Sequence, residues 1–349
     1  MLYIFPRGTG IGFSCLRQLD KRGTMDITTS YTSASGSLPI KVLMNEDLVC
    51  SITQNKVILP VHVQLNPTNR CNLKCDWCSC SNRDKKLEMS REEIEETMSK
   101  YRAMGCKSVT ITGGGEPLLH RDITGVMCTI ASMGIDIGVV TNGWLVNNLC
   151  DLDWDLATWV RVSLGDGREK ELDSGEYWEG LSRLAERDLD LSFSYVLTNK
   201  PDMKLIRKMI NFANEHEITH IRMTTDIVQN SAIDTMGAVR DALSETMDDS
   251  RVIYQDRTTW TRGQEKCYIS LLKPVVGADG KLYPCCGTQY FDESPSKNYA
   301  GCMGSIEDID DIFHEQRMYD GSRCKVCYYS SYNKLIGKLL SDVKHKRFV

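Results

Sequence analysis

Residues 66–80 read Asn-Pro-Thr-Asn-Arg-Cys-Asn-Leu-Lys-Cys-Asp-Trp-Cys-Ser-Cys, and Cys71, Cys75 and Cys78 within them form a C-x-x-x-C-x-x-C run. Three thiolates this close on one loop leave a tetrahedral zinc site incomplete unless a ligand comes from elsewhere. They suit three irons of a cubane iron–sulfur cluster. The fourth iron then has no protein ligand, and an open position is how a metal site meets a reactant. The bland alternatives are a zinc knuckle or three packed cysteines. Cys80 is near enough to be a spare thiolate and is read as a non-ligand. One strand–helix unit later comes Gly113-Gly-Gly-Glu-Pro117. Its glycines let the backbone approach a ligand, and Glu116 supplies a carboxylate. Near the C-terminus, Cys267, Gly280 and Cys285 are spaced C-x12-G-x4-C, and Cys324-Lys-Val-Cys327 follows. Four cysteines in two pairs can close a metal site completely, as structural zinc or as a second [4Fe-4S] cluster. Cys286 and Cys302 are alternative ligands.

The first run, with Trp77 in its aromatic slot, resembles the signature of radical SAM enzymes. That resemblance implies a [4Fe-4S] cluster whose open iron chelates the amino and carboxylate groups of S-adenosylmethionine (SAM). One electron then cleaves the sulfonium to a 5′-deoxyadenosyl radical, which abstracts hydrogen from a substrate. It also implies that Gly114, Gly115, Glu116 and Pro117 form the turn that binds the SAM amino group. Ser163 would contact the SAM carboxylate or ribose, Asn142 and Asn199 the ribose region, and Met223 the adenine. The bland reading of these last four is strand-end hydrogen bonding or core packing. The C-terminal cysteines resemble the shorter, twitch form of SPASM/twitch extensions, because no cysteine follows Cys327. On that resemblance Cys267, Cys285, Cys324 and Cys327 hold one auxiliary [4Fe-4S] cluster.

An auxiliary cluster could accept the electron that a substrate radical must lose, giving oxidation, or bind substrate through an open iron. The leading expectation is an oxidoreductase or isomerase acting on a small or nucleotide-like molecule. Radical modification of a peptide or nucleic acid is the alternative, and a non-enzymatic metal-binding module is the reading from another class. An external one-electron donor of flavodoxin or ferredoxin type is implied. A general base is needed if an O–H or N–H loses its proton. Arg222, Asp226, Asp166 and Tyr195 are candidates, with salt bridging or packing as the bland reading of each.

These residues need a scaffold. Val61–Leu65, 107–112, 135–140, 157–164, 189–197 and 218–225 read as six strands. Ser90-Arg-Glu-Glu93 is a capping box opening a helix to about residue 104, and Asp122 caps a second. Helices near 176–187, 202–216 and 231–248 continue the rhythm. Apolar runs alternating with helices imply a parallel sheet covered by helices. The expected fold is α/β: a partial (βα)6 TIM-like barrel with a small C-terminal Fe–S (twitch-like) domain. The expected divisions are a lead-in over 1–58, the barrel over 59–250, the auxiliary-cluster domain over 251–333 and a basic tail over 334–349. Residues 28–37 read as a loop, and 41–55 as a short strand or helix; no complete winged-helix module is evident. Cys15, Cys50, Cys106, Cys128 and Cys150 read as packing residues.

Composition sets bounds. At 349 residues and 41% hydrophobic, the chain can bury a large core. A net charge of −5 does not advertise a nucleic-acid binder, although Lys334, Lys338, Lys344, His345, Lys346 and Arg347 could meet an acidic partner or polyphosphate. Fifteen cysteines without a secretory h-region or a membrane-length apolar run point to a reducing, cytoplasmic setting and to oxygen lability.

Overall fold

The computed structural model describes residues 39–226, 233–243, 251–255, 261–289, 301–324 and 327–344. The loop expected at 28–37, Cys15, and His345, Lys346 and Arg347 lie outside the described residues.

The six expected strands are present as β1 (His62–Leu65), β2 (Ser108–Ile111), β3 (Asp136–Thr141), β4 (Ala157–Gly165), β5 (Asp190–Leu197) and β6 (His220–Thr225). They pair in chain order, all parallel. The sheet does not stop there. A seventh strand, β7 (Val252–Gln255), runs parallel to β6. Beyond β1, the short β9 (Val275–Val276) runs parallel to it, and β10 (Lys281–Tyr283) and β11 (Gly304–Ser305) follow antiparallel. A separate hairpin-like pair joins β8 (Lys266–Cys267) to β12 (Tyr319–Asp320). Residues on both sides of position 250 therefore share one sheet. The fold is an α/β partial barrel whose edge is extended by C-terminal strands.

The helices form where the sequence signals them. Ser90 caps the helix Arg91–Ala103: its hydroxyl accepts from Glu93 N at 3.1 Å, and the Glu93 carboxylate accepts from Ser90 N at 2.6 Å. Gly105, at φ 99°, turns the chain out of that helix into β2. Asp122 caps Ile123–Ser132, Ser174 caps Gly175–Ala185 and Asp202 caps Met203–Glu215. Residues 41–55 are helical: Ile40–Leu43 and Glu46–Cys50 lead into the π-helical turn Ser51–Asn55. Asp47 pairs with Lys107 at 3.0 Å, which fixes this lead-in at the strand-start end of the barrel.

Helices cover the outer face of the parallel sheet as expected, and the strands are two-faced. One face presents Val63, Leu65, Val109, Ile111, Val160, Val162, Phe193, Ile221 and Met223, all merged into the core with helix residues such as Ile94, Met98, Leu181 and Ile206. The other face, one residue out of phase, presents His62, Gln64, Thr110, Arg161, Ser163, Ser192, Ser194, His220 and Arg222. The barrel lumen is therefore polar. Gly138 sits opposite Trp159 in this lumen, and a Cβ on it would lie 2.0 Å from the indole. Gly138→Ala should cost roughly 1–3 kcal/mol through overpacking, read as a lowered denaturation midpoint. An unchanged midpoint would mean that Trp159 is free to swing away.

Candidate active site

The loop after β1 returns across the strand ends and places its three cysteines around one cavity of about 270 Å³. Cys71, Cys75, Cys78, Trp77, the Gly113–Glu116 turn, Asn142, Ser163, Arg168, Ser194, Arg222 and Thr224 all contribute to its wall. It opens where ligands of parallel α/β barrels bind, at the C-terminal ends of the strands.

Backbone apposition fixes the loop. Gly115 N donates to Thr68 O at 3.1 Å and Glu116 N to Arg70 O at 2.7 Å. A Cβ on Gly115 would lie 1.9 Å from Arg70 O, so only glycine allows this approach. The Trp77 indole donates to Asp166 O at 2.8 Å and lies against Gly165, whose Cα could carry no side chain there. Arg83 threads under the loop, donating to Asn69 O at 2.8 Å, to Cys80 O at 2.6 Å and to Cys78 Sγ at 3.6 Å.

The thiols are electrostatically unequal. Cys78 is pushed down to about 6, first by the Cys80 thiol donating to it and also by Arg83. Cys80 is correspondingly pushed up, and burial pushes Cys75 up to about 11. Among the described residues no three His, Cys, Asp or Glu side chains converge as a single metal ion requires. A cubane holds its irons at separate corners and does not ask its thiolates to converge. Three thiols spread around one cavity wall, with a buried carboxylate and a buried guanidinium beside them, fit such a cluster with an ammonium- and carboxylate-bearing ligand at its open corner.

Glu116 is 2% exposed. Its carboxylate accepts from Thr141 Oγ1 at 2.7 Å, Asn142 N at 2.7 Å and Leu118 N at 3.2 Å. Burial raises its pKa against these hydrogen bonds. Asn142 also donates through its side chain to Asn72 Oδ1 at 2.7 Å, tying the end of β3 to the cysteine loop.

Arg168 is the residue that sequence reasoning missed. It is buried, donates to Asn142 O at 3.0 Å and to Ser163 O, and is paired with the equally buried Glu171. Its only sequence signal is the i,i+3 Arg-x-x-Glu spacing just past a Gly-Asp-Gly turn.

Other expected residues fall elsewhere. Gly114, Gly115, Glu116, Asn142, Ser163 and Arg222 line the cavity; Pro117 does not, but starts the 3-10 turn behind Glu116. Met223 and Tyr195 occupy the outer, helix-facing phase of their strands and do not line the cavity, which corrects both assignments. Asn199 is exposed and outside the lining. The Asp166 carboxylate is committed to Tyr195 Oη at 2.6 Å, Thr198 N at 2.6 Å, Thr198 Oγ1 at 3.0 Å and Asp202 N at 2.8 Å. It anchors a loop rather than facing a substrate. Asp226 is buried past β6 and lies outside the lining. Arg222 donates to Ser194 Oγ at 2.9 Å on the cavity wall, but a guanidinium keeps its proton and accepts none, which corrects its assignment as a general base.

A second group of thiols gathers at the C-terminal end of the chain. Cys267 stands in β8, Cys324 follows a 3-10 turn at Gly321–Arg323, and Cys327 N donates to Thr261 O at 2.7 Å. Burial pushes Cys267 up to about 12, and it feels the charges of Cys327 and Cys324. Cys285, likewise pushed up by burial, feels Cys286 and Cys267. The backbone places Cys267 and Cys324 close together: a Cβ on Gly321 would lie 3.4 Å from Cys267 Cβ, and Cys324 N donates to Gly321 O at 3.0 Å. Cys286 points to Tyr329 Oη at 3.8 Å, and Cys302 donates to Gly304 O at 3.4 Å. Cys106 is buried as expected, whereas Cys50, Cys128 and Cys150 are exposed.

Arg168→Met should cost about 3–5 kcal/mol by leaving Glu171 buried and unpaired. Adding Glu171→Gln to that variant should recover much of the loss. It removes the unpaired charge, and the amide oxygen can still accept from the Trp144 indole, which lies 2.7 Å from the Glu171 carboxylate. Urea denaturation of the single and double variants checks this; equal loss in both would show that the pair is not the source.

Residues 65–213 match the family model described as the Radical SAM superfamily. A probable GTP 3′,8-cyclase of Methanothermobacter marburgensis is 37% identical over 94 residues, which cover 26% of this chain and 30% of that protein. GTP 3′,8-cyclase of Aquifex aeolicus is 35% identical over 97 residues, again 26% and 30%. The chain thus matches under a third of the length of these relatives. Among solved structures, Streptococcus suis SuiB bound to S-adenosylmethionine aligns over 92% of this chain and 85% of its own, with TM-score 0.59 and 16% identity. The chain of anSMEcpe with bound AdoMet and Kp18Cys peptide aligns over 80% and 96%, with TM-score 0.52 and 14% identity. The fold is shared with both. Over residues 65–213 the chain carries a domain of the radical SAM superfamily.

Proposed function

We propose that this chain is a radical SAM enzyme that oxidises a small or nucleotide-like substrate. The observation that carries the reading is the single cavity bounded by Cys71, Cys75, Cys78 and the buried Glu116. When bound, a [4Fe-4S] cluster and SAM supply reductive sulfonium cleavage to a 5′-deoxyadenosyl radical.

The chain's own residues prepare that site. Cys71, Cys75 and Cys78 would hold three irons. Glu116, kept in place by Thr141 and Asn142, would receive the SAM ammonium. Arg168, facing the cavity beside Ser163, would receive a carboxylate. Trp77 packs the cysteine loop against Gly165. Cys267, Cys285, Cys324 and Cys327 would hold an auxiliary [4Fe-4S] cluster, the place to which a substrate electron can go. The curated relatives named as GTP 3′,8-cyclases support a nucleotide-like substrate. A second reading, modification of a peptide, is supported by the shared fold of a chain solved with a peptide bound. An external one-electron donor belongs to either reading. Among the described residues, no helix is long and apolar enough to cross a membrane.

Anaerobic reconstitution tests the proposal. The parent should carry about eight irons and Cys71→Ala/Cys75→Ala/Cys78→Ala about four, one cubane being lost, and SAM cleavage should vanish in the variant. Cleavage that persists removes the assignment. Glu116→Ala should weaken SAM binding at least about tenfold, equivalent to about 1.4 kcal/mol, while iron content holds; unchanged affinity would argue against the ammonium contact. Cys324→Ala/Cys327→Ala should still cleave SAM but fail to convert substrate. Normal conversion would make the second site dispensable.

A further inference from the structure

The lumen below the cavity holds a set of basic side chains, of which the arginines and lysine carry charge and the histidines are neutral. His62 on β1, Arg161 on β4, and His220 and Arg222 on β6 share the inner phase of the sheet. Lys273, just before β9, adds to them from the strand-start edge, and Lys41 from the lead-in helix. Burial lowers His62 well below the usual imidazole range, and Lys273 and Lys41 lower it further. Burial lowers His220 to about 3, helped by Arg161, Arg222 and Lys41. Lys273 is lowered by burial and by Arg161, Lys41 and Arg222, and is raised by Cys286. The Lys273 ammonium lies 5.8 Å over the Tyr329 ring, whose hydroxyl is 3.8 Å from Cys286 Sγ, on the side of the second cysteine group.

Geometry gives the set its use. His62, Arg161, Arg222 and Lys273 each remain half-buried although they sit on inner faces or edges of the sheet, so the lumen is open around them. Arg222 also lines the upper cavity. Arg161 stacks over Trp159 at 5.2 Å, and Arg222 is anchored on Ser194. Both guanidiniums are held in place rather than left to swing, which favours planar, bidentate recognition of phosphate or carboxylate. Asp136 and Asp190, on the same inner phase, stand exposed at the strand starts. An anion entering beside these guanidiniums and the Lys273 ammonium gains charge-assisted hydrogen bonds.

We propose that the lower barrel lumen, lined by His62, Arg161, His220, Arg222 and Lys273, binds the multiply anionic, non-reacting part of the substrate: a phosphate ester or a cluster of carboxylates. This rests on the functional reading above for what the bound molecule is there to do. The anionic end would lie toward Lys273, and the reacting carbon would lie by Arg222 and Ser194, under the upper cavity. The substrate is then a small polyanion, and its orientation between the two cysteine sites is set by charge.

The test is binding, read by calorimetry on the anaerobically reconstituted full chain at fixed ionic strength. Tripolyphosphate, a nucleoside triphosphate and citrate are the probes. At least one should saturate with a stoichiometry near one. Arg161→Gln and Lys273→Gln should each weaken it by tenfold or more, with Arg161→Lys losing less than Arg161→Gln. Phosphate-bearing probes alone would name a phosphate ester, and citrate alone a polycarboxylate; either supports the chamber. Iron content and melting temperature check folding, and Lys273→Gln and Arg161→Lys carry the test if Arg161→Gln fails to fold. The proposal is overturned if no probe saturates, if the lumen variants bind as the parent does, or if Lys338→Gln/Lys344→Gln in the basic tail removes binding instead. SAM cleavage is scored separately on the parent. Cleavage without saturable anion binding sinks the chamber alone, and anion binding without cleavage sinks the enzymatic reading alone.

Discussion

Arg168 is the interaction on which the active-site end depends. Its guanidinium reaches the carbonyls of Asn142, after β3, and Ser163, near the end of β4, while Glu171 neutralises it. Asn142 in turn donates its backbone N–H to Glu116 and its side chain to Asn72 of the cysteine loop. One buried cation therefore couples three strand ends to the loop that carries the thiols. A buried ion pair adds little net stability but leaves a heavy penalty when one partner goes. Such a pair suits a site where position matters more than stability. Trp144 and Trp178 complete the shell by donating to the Glu171 carboxylate and carbonyl at 2.7 and 2.6 Å.

Local signals made much of this legible in the sequence. The capping residues Ser90 and Asp122 marked helix starts because their hydrogen bonds lie within three residues of themselves. The six strands were legible from apolar runs, and the Cys71–Cys78 spacing and Gly113–Pro117 turn from their closeness in the chain. Strand phase was the signal left unused. Reading β6 by position along the strand nominated Met223, whereas reading it by alternation selects Arg222 and Thr224 for the lumen and sends Met223 to the helices. The same alternation removes Tyr195. Arg168 could not be found this way, because it lies beyond its strand and acts through contacts with carbonyls on other elements. β9 and β11, at two residues each, are too short to have any periodicity.

The two-faced strands explain how one sheet serves both folding and chemistry. The outer phase supplies nearly all the apolar burial, so the inner phase is released from the demands of a packed core. Parallel barrels with filled interiors place large aliphatic side chains there. Here the inner phase instead carries serines, threonines, histidines and arginines, and Gly138 leaves room for Trp159. A lumen of this composition presents polar groups inward, while the apolar burial that folds the sheet comes from the outer phase.

The sheet also constrains how the second cysteine group can be understood. If residues after 250 formed an appendage on a linker, its distance from the lumen would vary. Instead β7 extends the sheet at β6, and β9 extends it at β1, where Gln64 N donates to Pro274 O and Asn66 N to Val276 O at 3.0 and 2.9 Å. Cys267 precedes β9 by a single helical turn, Ile269–Leu272, and Cys285 follows β10 by two residues. Both thiols are thereby fixed to the strand-start side of β1, while Cys71, Cys75 and Cys78 are fixed to its other end by the loop that leaves it. The backbone of β1 is the common reference for the two sites. The lumen beside β1 therefore runs from the end that carries the Cys71–Cys78 loop to the end that carries Cys267 and Cys285.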